Sequence, residues 1–325
     1  MKKIFKNTFL SITADAVTHG TVSKRHRLWQ QIRRDKFIYL MLLPVIAYLA
    51  IFKYWPMAWL SISLYDYKLL LGIEGSKFVG LKHYIDFFTG LDFFRVLGNT
   101  LILNILQLVF IFPVPIIFAL LLNELRRLRF KKLIQTVSYL PHFISTMVLV
   151  SMITTFLSPS VGLLGAITKT FGGEPVYYLG NPGYFRPIYI LSGIWQTTGW
   201  SAIIYLSAIT GIDPVLYEAA IVDGAGRFKQ VIHVTLPGIL NAIVIQLIMQ
   251  IGNMLNVGFE KVFLLQNSFN NSVAEVLSTY VYKQGIVGTK FSYATAIGVF
   301  NSVVAFILVV SANAFTKKFS KTGLW

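Results

Sequence analysis

Residues 213–237 read DPVLYEAAIVDGAGRFKQVIHVTLP, a short polar stretch between two long apolar runs, and their reading decides how the rest of the chain is understood. Asp213 is a good N-cap and Pro214 suits the first helical position, so a helix is expected to start there. Val215, Leu216, Ala219 and Val222 then fall on one face, with Glu218 on another. Asp223-Gly224-Ala225-Gly226 supplies a stop and a flexible turn. Arg227 to Thr235 gives a second short helix with Phe228, Val231 and Ile232 on one side, and Leu236-Pro237 opens the next apolar run. The expected product is a compact helix–turn–helix lying along one membrane face. Small residues at Ala219, Ala220, Gly224 and Ala225 would let a partner surface approach the backbone, and Glu218 is placed to meet a basic group or a helix end on that partner.

The composition puts this stretch at a membrane. The 325 residues are 55% hydrophobic and 13% charged, with a mean hydropathy of +0.65, which excludes a soluble domain. Charges are confined to particular stretches and leave runs of about 20 residues without any, the length that crosses a bilayer. Six such runs fall at 37–52 (extending to 64), 97–123, 133–157, 187–211, 237–259 and 291–315. The fold class expected is an all-α membrane protein with six transmembrane helices.

An even number of spans places both termini on one side, together with residues 124–132 and 212–236. That side holds nineteen of the 29 Lys and Arg, and the opposite loops 53–96, 158–186 and 260–290 hold ten. By the positive-inside rule the richer side is cytoplasmic, and the run Arg126-Arg127-Leu128-Arg129-Phe130-Lys131-Lys132 fixes it most strongly. The net charge of +16 is thus explained by topology and not by nucleic acid. Residues 24–36 read as a basic amphipathic helix on the anionic inner leaflet, leading into an uncleaved first span. Residues 78–100 are expected to form an interfacial helix before span two. Without cysteine there is no disulfide framework or thiolate metal site, and no two of His19, His26, His83, His142 and His233 have metal-ligand spacing. His142, in YLPHF beside Pro141, reads as a contact at a helix break.

The spacing Glu218-Ala219-Ala220, three residues, Gly224, nine residues, Val234, one residue, Leu236-Pro237 resembles the EAA loop of ABC importer permeases (EAA-x3-G-x9-I-x-LP), with Val234 in place of the usual Ile. GNMLNVGFEKVFLLQN (252–267), STYVYKQGIVGTKFSYATAIGVFNSVV (278–304) and RFKKLIQTVSYLPHFIS (129–145) are similar to carbohydrate permeases, and within them to those for acidic or complex oligosaccharides such as aldouronate, rhamnogalacturonan and alginate oligomers. The resemblance runs from about residue 37 to 318. It implies a permease domain over 37–318 between a cytoplasmic N-terminal segment (1–36) and a tail (319–325), in the cytoplasmic (inner) membrane with both termini inside. It implies that Glu218, Ala219, Ala220, Asp223, Gly224, Ala225, Leu236 and Pro237 couple to a separate ATPase dimer. A second homologous permease chain, an extracytoplasmic solute-binding protein and an oligosaccharide substrate complete the implied assembly. No P-loop occurs, so this chain binds no cofactor, and ATP and Mg belong to the ATPase subunits.

A permease needs a polar path. Gln246, Gln250 and Asn253 share one face of span five, and Asn256 continues it with a shift. Asn104 and Gln107 follow Thr100 in span two, and Trp195 and Trp200 in span four offer rings to pyranose faces. Two other classes fit the sequence less well. An ion-coupled secondary transporter ordinarily carries ionisable groups mid-membrane, and none of the six runs does so. A polytopic membrane enzyme needs clustered carboxylates or histidines at a membrane face, and the sequence offers none.

Overall fold

The structure, a computed structural model, describes residues 33–255 and 258–320. Most of the amphipathic helix expected over 24–36, the tail from 321 and Asn256 lie outside the described residues. The chain divides into two units, one reaching Ser61 and the other starting at Ile62.

In the first unit, α1 (Lys36–Leu49) contains Pro44 and has no buried residue. It runs on through Ala50–Tyr54 to form, with Trp55–Leu64, a 29-residue apolar stretch long enough to cross a membrane. A helix apolar on all sides needs lipid or other chains around it.

The second unit opens with a hairpin that the sequence reading did not foresee. Strands β1 (Tyr65–Lys68) and β2 (Gly72–Phe78) pair antiparallel. Ser292 Oγ accepts from Tyr67 N (2.9 Å), and the His83 ring lies 3.0 Å from Tyr65 O. Of the helix expected over 78–100, Lys82–Thr89 forms α2; the chain is extended at Gly90 and goes on as α3 (Asp92–Leu106) and α4 (Pro113–Asn123). Two further helices, Asp92–Asn123 and Phe291–Lys317, are long and apolar enough to span.

Among the described residues, three sharply bent pairs bring the count of candidate spans to at most six. The first joins α5 (Leu128–Tyr139), through a tight turn at Leu140–Phe143, to α6 (Thr146–Phe156), at 97°. A short helix α7 (Leu163–Thr170) follows. The second pair is α8 (Pro182–Thr210) and α9 (Pro214–Val222), at 71°. In the third, α10 (Arg227–Gln230) continues through Val231–Thr235 into α11 (Leu236–Gly238), and this unit meets α12 (Leu240–Gly252) at 59°. The span expected over 133–157, with its interruption at Pro141, is thus two helices nearly at right angles. Pro141 cannot donate an amide and Ile144 is extended (ψ 125°), so the helix stops and restarts where Ser145 caps α6. At 11 residues, α6 rises about 16 Å, too short to cross hydrocarbon alone.

The second correction concerns residues 260–290, read as an outer loop. They fold as α13 (Phe259–Leu265), α14 (Asn271–Ala274) and α15 (Leu277–Tyr282), before the closing helix α16 (Phe291–Ser320). Val262, Ala274 and Val276 are fully buried and join Leu103, Phe185 and Tyr189 in one core cluster, while Leu277 and Tyr280 join Phe87, Val96 and Ile297 in another. Charge pins this segment to α3. Glu275, with its side chain 6% exposed, accepts from Arg95 (2.7 Å) and Lys283 (2.9 Å). Asn99 Nδ2 donates to the carbonyls of Ser272 (2.9 Å) and Glu275 (3.1 Å). A hydropathy reading sees polar residues here and infers solvent; their satisfaction by α3 is what lets the segment be interior.

A third core cluster packs α4 against α8, with Ala119 and Leu122 meeting Ala202, Tyr205, Leu206 and Ile209. On another side α8 touches α5 so closely that a Cβ on Gly199 would stand 2.1 Å from the Ser138 carbonyl oxygen.

Replacing Glu275 by Ala leaves Lys283 without a carboxylate and Arg95 with Asp92 alone. Removing one member of a buried ion pair costs ~3–5 kcal/mol, and the lower end is expected because water reaches Arg95 and Lys283. Thermal unfolding of the purified protein in detergent reads this loss, with Asp92→Asn, on an exposed pair, as the mild control.

Candidate functional site

Two features have the chemistry of a site, and α8 and α12 connect them. The first is the 213–237 segment. Asp213 Oδ1 accepts from Val215 N at 3.0 Å and Pro214 holds the first position of α9. At its end, Gly224 takes φ +74°, its amide bonds the Ile221 carbonyl (3.0 Å), and the Ala225 amide reaches back to the Ala220 carbonyl (2.8 Å). This pair of bonds is the Schellman stop, which requires the left-handed residue that glycine provides. Tyr217 OH meets Thr235 Oγ1 at 2.9 Å and Gln230 Nε2 donates to the Ala225 carbonyl at 2.8 Å, so the two helices are held together.

No residue of α9 is buried. Val215, Leu216, Ile221, Val222 and Phe228 are all exposed, as are Glu218, Ala219, Asp223, Leu236 and Pro237, while Ala220 and Ala225 are half-buried. Arg227 Nη1 lies 3.7 Å from Glu124 Oε2, which sets the segment at the same end of the bundle as the start of the basic run 126–132. The helix expected over 227–235 extends to Gly238, and the next span starts beyond Ile239.

The second feature is a cavity of about 300 Å³, walled by α8, α12, α13 and the junction of α3 with α4. From α8 come Tyr189, Gly193, Gln196, Thr197, Ser201 and Tyr205, one helical stripe about 24 Å long. Gln107, Gln246 and Gln250 face it from the other helices, and their amides make no hydrogen bond among the described residues. Gln196 reaches across to donate to the Ile144 carbonyl (3.1 Å), the acceptor freed by the break in α5–α6. Lys261 closes the wall from α13, 8% exposed, with Nζ 3.1 Å from the Tyr189 carbonyl and 4.8 Å from the Tyr189 ring centre.

Of the path residues expected from sequence, Gln107, Gln246 and Gln250 thus converge. The other described ones do not line this cavity. Asn104 is buried and donates to the Thr100 carbonyl (2.6 Å). Asn253 ends α12, exposed, and donates to the Met249 carbonyl (3.1 Å). Trp195 sits in an apolar groove with Phe118, Ile134 and Val137. Trp200 stacks on His142, centroids 4.6 Å apart and planes within 4°, so His142 does pack at the helix break. At about 100° per residue, position 195 points away from the stripe through 193, 197, 201 and 204, whereas 200 lies close to the phase of 193 and its ring is taken up by His142. Lys261 was missed because the fifth apolar run was ended at 259; the apolar residues on both sides of Glu260-Lys261 were the available signal.

Residues 111–321 match the family of binding-protein-dependent transport system inner membrane components. The chain belongs to this family. It is 50% identical over 302 residues (93% of this chain, 94% of the relative) to the polygalacturonan/rhamnogalacturonan transport system permease protein YteP of Bacillus subtilis (strain 168). It is 46% identical over 294 residues to Protein LplB of the same organism, covering 90% and 92%. A chain of a crystal structure of a bacterial alginate ABC transporter, in complex with an alginate pentasaccharide-bound periplasmic protein, superposes with a TM-score of 0.85. That chain is 42% identical, and the match covers 92% of this chain and all of the other. The chain is thus an ABC importer permease integral to the inner membrane.

Gly224→Val tests the stop. A Cβ there meets nothing within 4 Å, so the cost is backbone strain alone, about 1–2 kcal/mol. Amide exchange at Ala225 should rise about tenfold with protein yield unchanged.

Proposed function

We propose that this permease forms half of the translocation pore of an oligosaccharide importer and converts the closing of a separate ATPase dimer into alternating access. A second homologous permease chain supplies the other half, and an extracytoplasmic solute-binding protein delivers the sugar. Both termini and the 213–237 segment face the cytoplasm; the excess of Lys and Arg on that side and the Arg227–Glu124 pair support this.

One observation carries the reading: in a chain of this family, the segment with the EAA spacing is a capped helix–turn–helix whose apolar side chains lie uncovered at one end of the bundle. In this role, Val215, Leu216 and Val222 on α9 enter a cleft on the ATPase. Ala219, Ala220, Gly224 and Ala225 allow close approach, Glu218 pairs with a partner group, and Asp223, Leu236 and Pro237 shape the ends. The cavity amides of Gln107, Gln246 and Gln250 hydrogen-bond sugar hydroxyls during passage. ATP and Mg reside on the ATPase subunits. The relatives named for polygalacturonan/rhamnogalacturonan transport and for alginate support an oligosaccharide as cargo.

Glu218→Lys and Gly224→Val should each lower co-purification of the ATPase and uptake of labelled oligosaccharide while membrane insertion stays normal. Full association in both variants would abandon the docking role. Gln250→Leu should reduce uptake about threefold to tenfold, the worth of one or two hydrogen bonds, with the complex still assembled. Normal uptake would make that amide a spectator.

A further inference from the structure

Lys261 is the one charged side chain among the described residues lining the cavity. It is 92% covered, and it forms no ion pair among the described residues. Its ammonium has three donors, and one acceptor is provided, the Tyr189 carbonyl at 3.1 Å. The ring of Tyr189 below it gives a further favourable contact but takes no hydrogen bond from it. The contrast with the other buried charges is informative. Glu275 is neutralised by Arg95 and Lys283, as buried ions must be for stability alone. A buried cation that keeps two donors and has no counterion is costly in isolation, and such groups in membrane domains mark the path of a substrate.

Around it the wall is uncharged and rich in amides. Gln107, Gln246 and Gln250 offer unengaged amides, and Thr197 and Ser201 offer hydroxyl oxygens. That lining suits the hydroxyls of any sugar. A neutral sugar gives no reason for the ammonium, whereas an anionic sugar entering a low-dielectric cavity needs one charge-assisted partner.

We propose that Lys261 receives the carboxylate of a uronic-acid oligosaccharide in this cavity and makes the permease selective for acidic sugar chains. The proposal rests on the importer reading and names the substrate class of the same site. The carboxylate occupies the two free donor directions while Gln107, Gln246 and Gln250 hold the ring hydroxyls. Lys261 keeps its bond to Tyr189 throughout, which fixes the ammonium in place before the substrate arrives.

The test uses the assembled transporter in cells with its solute-binding protein, and labelled trigalacturonate as the probe. Lys261→Met keeps the length and apolar stem of the side chain and removes the charge; Lys261→Arg keeps the charge. Uptake should fall about 10-fold to 100-fold in Lys261→Met, the worth of a charge-assisted hydrogen bond, and stay within about threefold in Lys261→Arg. Complex yield and melting temperature should match the parent in both. Wild-type uptake in Lys261→Met overturns the proposal. So does equal loss in both variants with reduced yield, which would make Lys261 a clamp between α13 and α8. Wild-type import of galactotriose but not trigalacturonate overturns it while leaving the importer intact. Import of neither sinks the importer reading itself.

Discussion

Every backbone donor and acceptor inside the bundle must find a partner in the protein, because hydrocarbon offers none. The prolines show how this constraint is met. Pro56, Pro113 and Pro237 each follow a widened turn in which the preceding amide bonds the carbonyl five residues back: Trp55 to Ala50, Phe112 to Gln107, Leu236 to Val231. Widening re-aims the carbonyls that the ring would otherwise strike and keeps the helix running. Asp92–Asn123 remains one span for this reason. Pro141 is handled differently, since its helix breaks, and the freed Ile144 carbonyl takes the amide of Gln196 from α8. The bond that repairs the break also fixes one wall of the cavity.

Charge obeys the same rule with larger stakes. Glu275 is interior because Arg95 and Lys283 converge on it, and through it α14 and α15 are anchored to α3. Lys261 has only the carbonyl and the ring of Tyr189. The two sites differ in what satisfies the ion, so one reads as a fastening and the other as a group held ready.

The membrane class, the helix starts at Pro214 and Phe291 and the stop at Gly224 were legible because each rests on local chemistry: apolar length, an N-cap, a left-handed glycine. The Gln246–Gln250 stripe was legible for the same reason, being a matter of helical phase. What escaped depends on contacts distant in sequence. Residues 260–290 look solvated until Arg95 is brought to Glu275, 180 positions away. Trp200 looks available until His142 is laid against it across the break at Pro141. The hairpin at 65–78 is ordered partly by Ser292, which no local pattern near residue 67 can announce.

The placement of the two features on shared helices gives the proposed coupling a mechanical form. α8 carries the cavity stripe from Tyr189 to Tyr205 and passes, after a 71° bend, into α9. α12 carries Gln246 and Gln250 and is entered, after a 59° bend, from the Arg227–Gly238 helix. The segment between is tied across itself at Tyr217–Thr235 and Gln230–Ala225. A load on α9 therefore arrives at both helices together, and since α8 packs on α4 through Ala202 and Leu206, the wall carrying Gln107 is drawn in too. Packed helices of this kind shift as bodies and do not deform continuously, so an ATPase holding the small-residue face of α9 would re-aim three walls of the cavity in one movement.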